Sequence, residues 1–234
     1  MSGYFASILQ GALLTVGVSL AALGLAILLG LMGAAAKLSG QRPLVALATI
    51  YTTVVRGVPE LVLMLLIFYG GTIGLNHLLA MAGSKATVDI NPFAAGVLTI
   101  GFIYGAYMTE TFRGAILSIP RGQMEAAWAF GMGRLRTFLR ITLPQMVRHA
   151  LPGFTNNWLV LIKTTALVSL IGLHEMTYLA KQASAATREP FTFYLFAAGL
   201  FLLYTSVLLL ALRWLERRYS LGVVRHDDER TRGT

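Results

Sequence analysis

The side chains that could do chemistry in this chain are few, and most are charges set inside or at the edges of long apolar runs. No Gly-x-x-x-x-Gly-Lys-[Ser/Thr] loop is present to cradle phosphates, and no dinucleotide fingerprint occurs. His174-Glu175 is followed by Met-Thr-Tyr, so no second histidine stands one turn on to complete a zinc-binding helix. No Gly-x-Ser-x-Gly elbow offers a nucleophile. Cysteine is absent, which removes disulfides and thiolate metal sites. His77, His149, His174 and His226 are too scattered to suggest a metal cluster. An intramembrane enzyme therefore has little support. If the chain takes part in ATP-driven work, another chain must hydrolyse the ATP.

What remains are ionisable groups at or in the bilayer, where charge is costly and a functional role is the default expectation. Glu60 is placed at the mouth of the second apolar run, four residues after Arg56. Glu110 is placed at the end of the third, three residues before Arg113. At these separations both pairs can meet on one helical face. Each reads either as an ion pair that fixes a helix end or as part of a charged gate. Lys163 falls near mid-membrane if the fourth span begins at Leu151. Snorkelling from that depth is costly, so it is expected to face the protein interior or a water-filled path. Asn156, one heptad earlier, shares its face, and Asn157, Thr164 and Thr165 add polarity. The cluster reads either as a hydrogen-bonded knot between subunits or as the lining of a translocation path. His174 and Glu175 follow the fourth run on its outer side. They read as solvated loop residues or, at Glu175, as a carboxylate that draws cations to a path.

The elements that position these groups follow from composition. Of 234 residues, 56% are hydrophobic and 12% charged, and the mean hydropathy is +0.69. A soluble domain carries about a quarter charged residues. The chain therefore reads as an all-α integral membrane protein. The formal charge of +9 is spread between apolar blocks and forms no single patch, which argues against nucleic acid. Five blocks are long enough to span: 8–31, 61–81, 93–109, 151–173 and 191–212. The first lacks a basic leader and is expected to be retained. Trp214, Arg217, Arg218 and Tyr219 form an aromatic-basic anchor after the fifth. Lys37, Arg42 and Arg56 lie between spans one and two, and Arg113, Arg121, Arg134, Arg136, Arg140 and Arg148 between three and four. A further six arginines follow span five, whereas the opposite side carries only Lys85, Lys181 and Arg188. The positive-inside rule then places the N-terminus outside and the C-terminus in the cytoplasm. One domain is expected over 1–220. No internal repeat is evident; 221–234 is expected to be a flexible cytoplasmic tail, with disorder the default for its polar, mixed-charge part, 225–234.

The longest charged segment between apolar blocks is 125–144, on the cytoplasmic side by this count. Gly122 is expected to cap a first short helix, with Glu125 in its first turn, where a carboxylate meets exposed N–H groups. Gly131 is the natural left-handed residue past its end. In a second helix Leu135, Phe138, Leu139 and Thr142 fall at i, i+3, i+4 and i+7, with Arg134, Arg136 and Arg140 mainly elsewhere. Pro144 is expected to end that helix and to make Leu143 extended. Such a hairpin rests at the interface, either on anionic lipid or against a protein.

Glu125-Ala126-Ala127, then Gly131, then Ile141, Leu143 and Pro144 match the EAA motif at every position, so the stretch resembles that of ATP-binding-cassette importer permeases. The likeness covers nearly the whole chain. Residues 56–70, 107–114, Gly122-Gln123, Leu151-Pro152, Asn156-Asn157 and Lys163-Thr164-Thr165-Ala166-Leu167 are similar to the polar amino-acid permeases of the histidine-transport family. Among these the Q-type subunits of histidine/lysine/arginine/ornithine importers are most alike, and opine importers have near relatives. Ala166 stands where many members carry Ser, but the histidine-type relatives share the Ala. The resemblance implies a type I importer permease with five transmembrane helices and a cytoplasmic coupling helix that sits in a groove of the ATPase. It implies a bacterial inner membrane, a homologous M-type permease as dimer partner, two ATPase subunits and a periplasmic amino-acid-binding protein. ATP and Mg would be bound by the ATPase, and no cofactor by this chain. It also implies that an acidic residue after span four, here Glu175, helps to bind a basic substrate. His174, usually not basic in that pattern, alters the shape of this site. The expected path set is Glu175, His174, Lys163, Thr165 and Asn157. Alternative cargoes are an opine or a neutral or other polar amino acid. A channel subunit without an ATPase is the rival class, and it would have no use for 125–144.

Overall fold

The computed structural model describes residues 2–84 and 86–219, and among these every element is a helix. The first, α1 (Ser2–Leu38), carries no charge before Lys37 and runs unbroken for 37 residues, about 55 Å. Its buried stripe includes Ile8, Thr15, Val18, Ser19, Ala22, Ala26, Gly30 and Ala34, a helical three-to-four spacing. That stripe lies along α5 (Pro92–Leu117), the most enclosed of the long helices. Small residues allow the approach. A methyl group added at Gly30 or Gly33 on α1, or at Gly101 or Gly105 on α5, would come within 3.0 Å of a side chain opposite.

Between these two lie α2 (Arg42–Gly57), α3 (Glu60–Leu65) and α4 (Gly71–Met81). Helix α2 packs Ala48, Thr52 and Val55 inward. It stops where Val58 becomes extended (φ −106°, ψ 137°) ahead of Pro59. A π-helical turn over Leu66–Gly70 joins α3 and α4 into one rod. Helix α5 begins with Pro92 behind Asn91, whose side chain accepts from the Phe93 N–H at 2.8 Å. Then come α6 (Arg121–Ala129), α7 (Arg134–Thr137) and α8 (Leu143–Thr164). A π turn at Phe138–Thr142 joins α7 to α8, and a 3₁₀ segment at Thr165–Ile171 extends α8. Helices α9 (Met176–Thr187) and α10 (Pro190–Tyr219) complete the chain.

Five rods are long and apolar enough to cross a membrane: Ser2–Leu38, Glu60–Met81, Pro92–Leu117, Arg134–Ile171 and Pro190–Trp214. Each contains one expected span almost entirely. The fourth differs most, because Leu151 lies in mid-helix rather than at its start. Pro144 does not end the preceding helix, and Leu143 is helical (φ −61°, ψ −48°). The proline falls in the first turn of α8, where its missing N–H costs least, and the wider π turn upstream makes room for its ring. Pro120, not Gly122, occupies the N-cap of α6, so Glu125 lies beyond the first turn and away from the exposed N–H groups. The expected tail 221–234 and the side chains of Arg217, Arg218 and Tyr219 lie outside the described residues.

Candidate functional site

Glu60 opens α3 after the Val58-Pro59 break, where the helix dipole favours a carboxylate. Tyr104 donates to its Oε1 at 2.9 Å and Thr164 to its Oε2 at 2.9 Å, and the two hydroxyls are 2.7 Å apart. Both partners are buried. Tyr104 is the thirteenth residue of the 26-residue α5, and the neighbouring Gly105 packs against Leu29 of α1, so the cluster lies within the helix bundle, toward the end of α1 that carries Lys37. The expected Arg56–Glu60 pair is absent, because that spacing gives contact only on a continuous helix and the chain breaks between them. Arg56 lies instead over the Tyr107 ring, 5.3 Å from its centroid, and Tyr107 stands 5.6 Å from Tyr104. Among the described residues no basic group lies within ion-pair distance of Glu60. Two hydroxyls, a tyrosine ring and a carboxylate without its own cation form a site suited to a cationic group.

The expected Glu110–Arg113 pair does form, with Arg113 Nη2 2.8 Å and Nε 3.0 Å from Oε2. Lys37 adds a second cation at Oε1, 2.5 Å away, and also donates to Thr52 at 2.7 Å. These groups tie together the ends of α1, α2 and α5. Lys37, Thr52 and Glu110, with Thr53, Arg56 and Tyr107, line an open cleft of about 530 Å³.

The expected path set is not brought together. Glu175 is buried and serves as the N-cap of α9, accepting from Thr177 N at 2.9 Å, Tyr178 N at 2.8 Å and Thr15 Oγ1 at 3.1 Å. Burial pushes its carboxyl above the usual range, while these hydrogen bonds pull it down. His174 is exposed and stacks on Tyr178, with ring centroids 4.4 Å apart. Thr165 is buried and its hydroxyl is spent on Ile162 O at 2.6 Å, so its neighbour Thr164 is the threonine that reaches a site. Asn157 donates to Thr111 Oγ1 at 3.0 Å and links α8 to α5. Lys163 does not face the interior of the subunit. It is exposed, on the same face as exposed Asn156.

In the 125–144 stretch Gly131 is left-handed (φ 76°) and turns the chain between α6 and α7. Ala127 is buried, whereas Glu125 and Ala126 are exposed. Of the expected apolar face only Thr142 is buried, together with Thr137. Leu135, Phe138 and Leu139 are exposed, as are Trp128 and, at 90%, Phe130. Ile141 and Leu143 are half-buried beside exposed Pro144. The hairpin thus presents apolar and basic groups outward and holds few inward.

Sequence reasoning missed Tyr104, Thr15 and Lys37 as site members. For Lys37 and Glu110 a signal existed, since both stand at span ends on the basic side. For Tyr104 and Thr15 none did, because their carboxylate partners are 44 and 160 positions away.

The chain is similar to known transport proteins. Residues 8–221 match the family described as binding-protein-dependent transport system inner membrane component. The histidine/lysine/arginine/ornithine transport system permease protein HisQ of Escherichia coli is 49% identical over 96% of this chain and 98% of that one. The octopine transport system permease protein OccQ of Rhizobium radiobacter is 40% identical over 95% and 94%. A crystal structure of an amino acid ABC transporter with histidines superposes with a TM-score of 0.78 at 30% identity, covering 93% of this chain and 96% of that one. The inward-facing MetNI methionine transporter, at 14% identity and a TM-score of 0.68, shares the fold. With a family match over most of its length and relatives near half identical, the chain belongs to the inner-membrane permease components of binding-protein-dependent ABC transport systems.

Proposed function

We propose that this chain forms part of the path by which basic amino acids enter the cell, with Glu60 receiving the cationic side chain. The observation that carries this reading is the carboxylate at the head of the second rod, held by Tyr104 and Thr164, with no cation within ion-pair distance among the described residues. Arg56, across the Tyr104–Tyr107 ring pair, is placed to take the substrate carboxylate. The name of the 49%-identical relative, a histidine/lysine/arginine/ornithine permease, points the same way. The octopine relatives keep an opine as the alternative cargo.

The N-terminus lies outside and the C-terminus in the cytoplasm, by the distribution of Lys and Arg. The exposed hairpin 121–144 docks an ATPase that holds ATP and Mg, and this chain holds no cofactor. A homologous M-type permease covers the face that carries Lys163 and Asn156. Lipid is a poor neighbour for an ammonium group at the depth of Thr164, which supports a subunit or water there. A binding protein delivers the substrate from the outer side. ATP binding draws the hairpins of the two permeases together and opens the path outward, and hydrolysis returns it inward. The substrate contributes only through differential affinity for the two states.

Co-purification of the tagged chain from its native membrane tests the assembly, with ATPase activity assayed against amino acids and binding-protein fractions. An ATPase and a second permease in the product, stimulated by an arginine- or lysine-loaded binding protein, are expected. Purification of the chain alone, or stimulation by neutral amino acids only, would overturn the reading.

A further inference from the structure

We propose that Gln123 and Gln145 form a clasp that makes the 121–144 hairpin and α8 move as one lever. They are a positioning pair that couples ATP hydrolysis to transport without touching substrate or nucleotide. The inference rests on the reading of that hairpin as the ATPase dock. Three observations carry it. First, Gln145 Nε2 donates to Gln123 Oε1 at 2.5 Å and to Ile141 O at 3.0 Å. A carboxamide nitrogen has two hydrogens, so both are used and the direction is set: Gln145 gives and Gln123 accepts. Second, Gln123 is the third residue of α6 and Gln145 the third of α8, 22 positions apart. The bond closes the neck of the hairpin, where the chain leaves the bundle after α5 and returns as α8. Among the described residues, no other side-chain hydrogen bond and no ion pair ties α6 to another element. Third, Ile141 lies in the π turn at Phe138–Thr142, the joint between α7 and α8. One side chain therefore stitches that joint to α6.

A π turn is a place where a helix bends. With the clasp closed, a push on α6 reaches the start of α8, whose last residue, Thr164, holds Glu60 at 2.9 Å. With the clasp open, the hairpin can follow the ATPase by bending at the π turn while α8 stays still. Gln123 is exposed and Gln145 half-buried, so water replaces the bond when it is lost. The loss then shows in coupling and not in stability.

The test uses the assembled transporter in proteoliposomes with arginine-loaded binding protein, and reads arginine uptake and ATP hydrolysis together. Gln145→Leu is expected to keep the ATPase bound and the melting temperature near the parent value. The arginine carried per ATP hydrolysed should fall roughly threefold or more. Gln123→Leu should match it, and the double leucine variant should be no worse than either alone. Gln123→Glu, which keeps an acceptor for Gln145, should hold the parent ratio. An unchanged ratio in Gln145→Leu would overturn the proposal, as would additive losses in the double variant or a fall that tracks the melting temperature. Loss of the ATPase from the Gln145→Leu complex would also overturn it, by making Gln145 part of the dock. Failure of the dock reading is seen separately, in a parent chain that retains no ATPase.

Discussion

Glu60, half-buried, and Glu175, buried, are two carboxylates set into the helix bundle and held in opposite ways. Glu175 is held by two backbone N–H groups at the start of α9 and by Thr15 of α1. Backbone donors cannot turn away without unwinding the helix, so this acid is a fixed strut between α1 and α9. Glu60 is held by the hydroxyls of Tyr104 and Thr164, which can rotate and are also within bonding distance of each other. Its donors can release it without disturbing any helix. The difference teaches that an acid in a membrane protein is assigned by what holds it: backbone donors mark architecture, and mobile side-chain donors leave room for a ligand.

The strongest way to break the comparison is to neutralise each acid in turn. Glu60→Gln keeps the shape and removes the charge. Loss of a charge-assisted contact of about 1.5–3 kcal/mol should cut arginine and lysine uptake by roughly ten- to a hundredfold. Neutral amino acids should be little affected, and the melting temperature in detergent should stay near the parent value. An equal fall for basic and neutral substrates would make Glu60 a structural acid like its counterpart.

Glu175→Ala should do the reverse. It removes an N-cap and leaves the buried Thr15 hydroxyl without its side-chain acceptor, for a loss of about 1–3 kcal/mol in stability. A melt followed by tryptophan fluorescence should shift down by several degrees, while the ratio of arginine to neutral uptake is unchanged. A shifted ratio at constant stability would return Glu175 to the path.

Much of this was legible in the sequence, and the rest has identifiable reasons for escaping it. The five spans show as apolar runs because lipid tolerates little else, and the left-handed Gly131 follows from a turn that a side chain would strain. Glu110 with Arg113 was readable because they are neighbours on one continuous helix. Arg56 with Glu60 has similar spacing and failed, since Val58-Pro59 breaks the helix between them. Pro144 misled because a π turn, which leaves no mark in composition, accommodates it. Glu60 does open the second rod, as its place at the edge of an apolar run suggests; what hydropathy could not show is that Tyr104 and Thr164, 44 and 104 positions away, close on its carboxylate.

The finest distinction between the two acids is measured by pairing each with one hydroxyl. Thr15→Ala should cost about 1 kcal/mol of stability alone and much less in the Glu175→Ala background, because the bond it made is already gone. Tyr104→Phe should slow arginine uptake about fivefold alone, since a carboxylate with one donor left is less firmly aimed. In the Glu60→Gln background it should add almost nothing. Each pair is therefore non-additive, but in a different observable: the Thr15–Glu175 coupling lies in the melting temperature, and the Tyr104–Glu60 coupling in transport. Coupling of Tyr104 with Glu60 in stability alone would mean that this cluster, too, is a strut, and that the path lies on another face of α8.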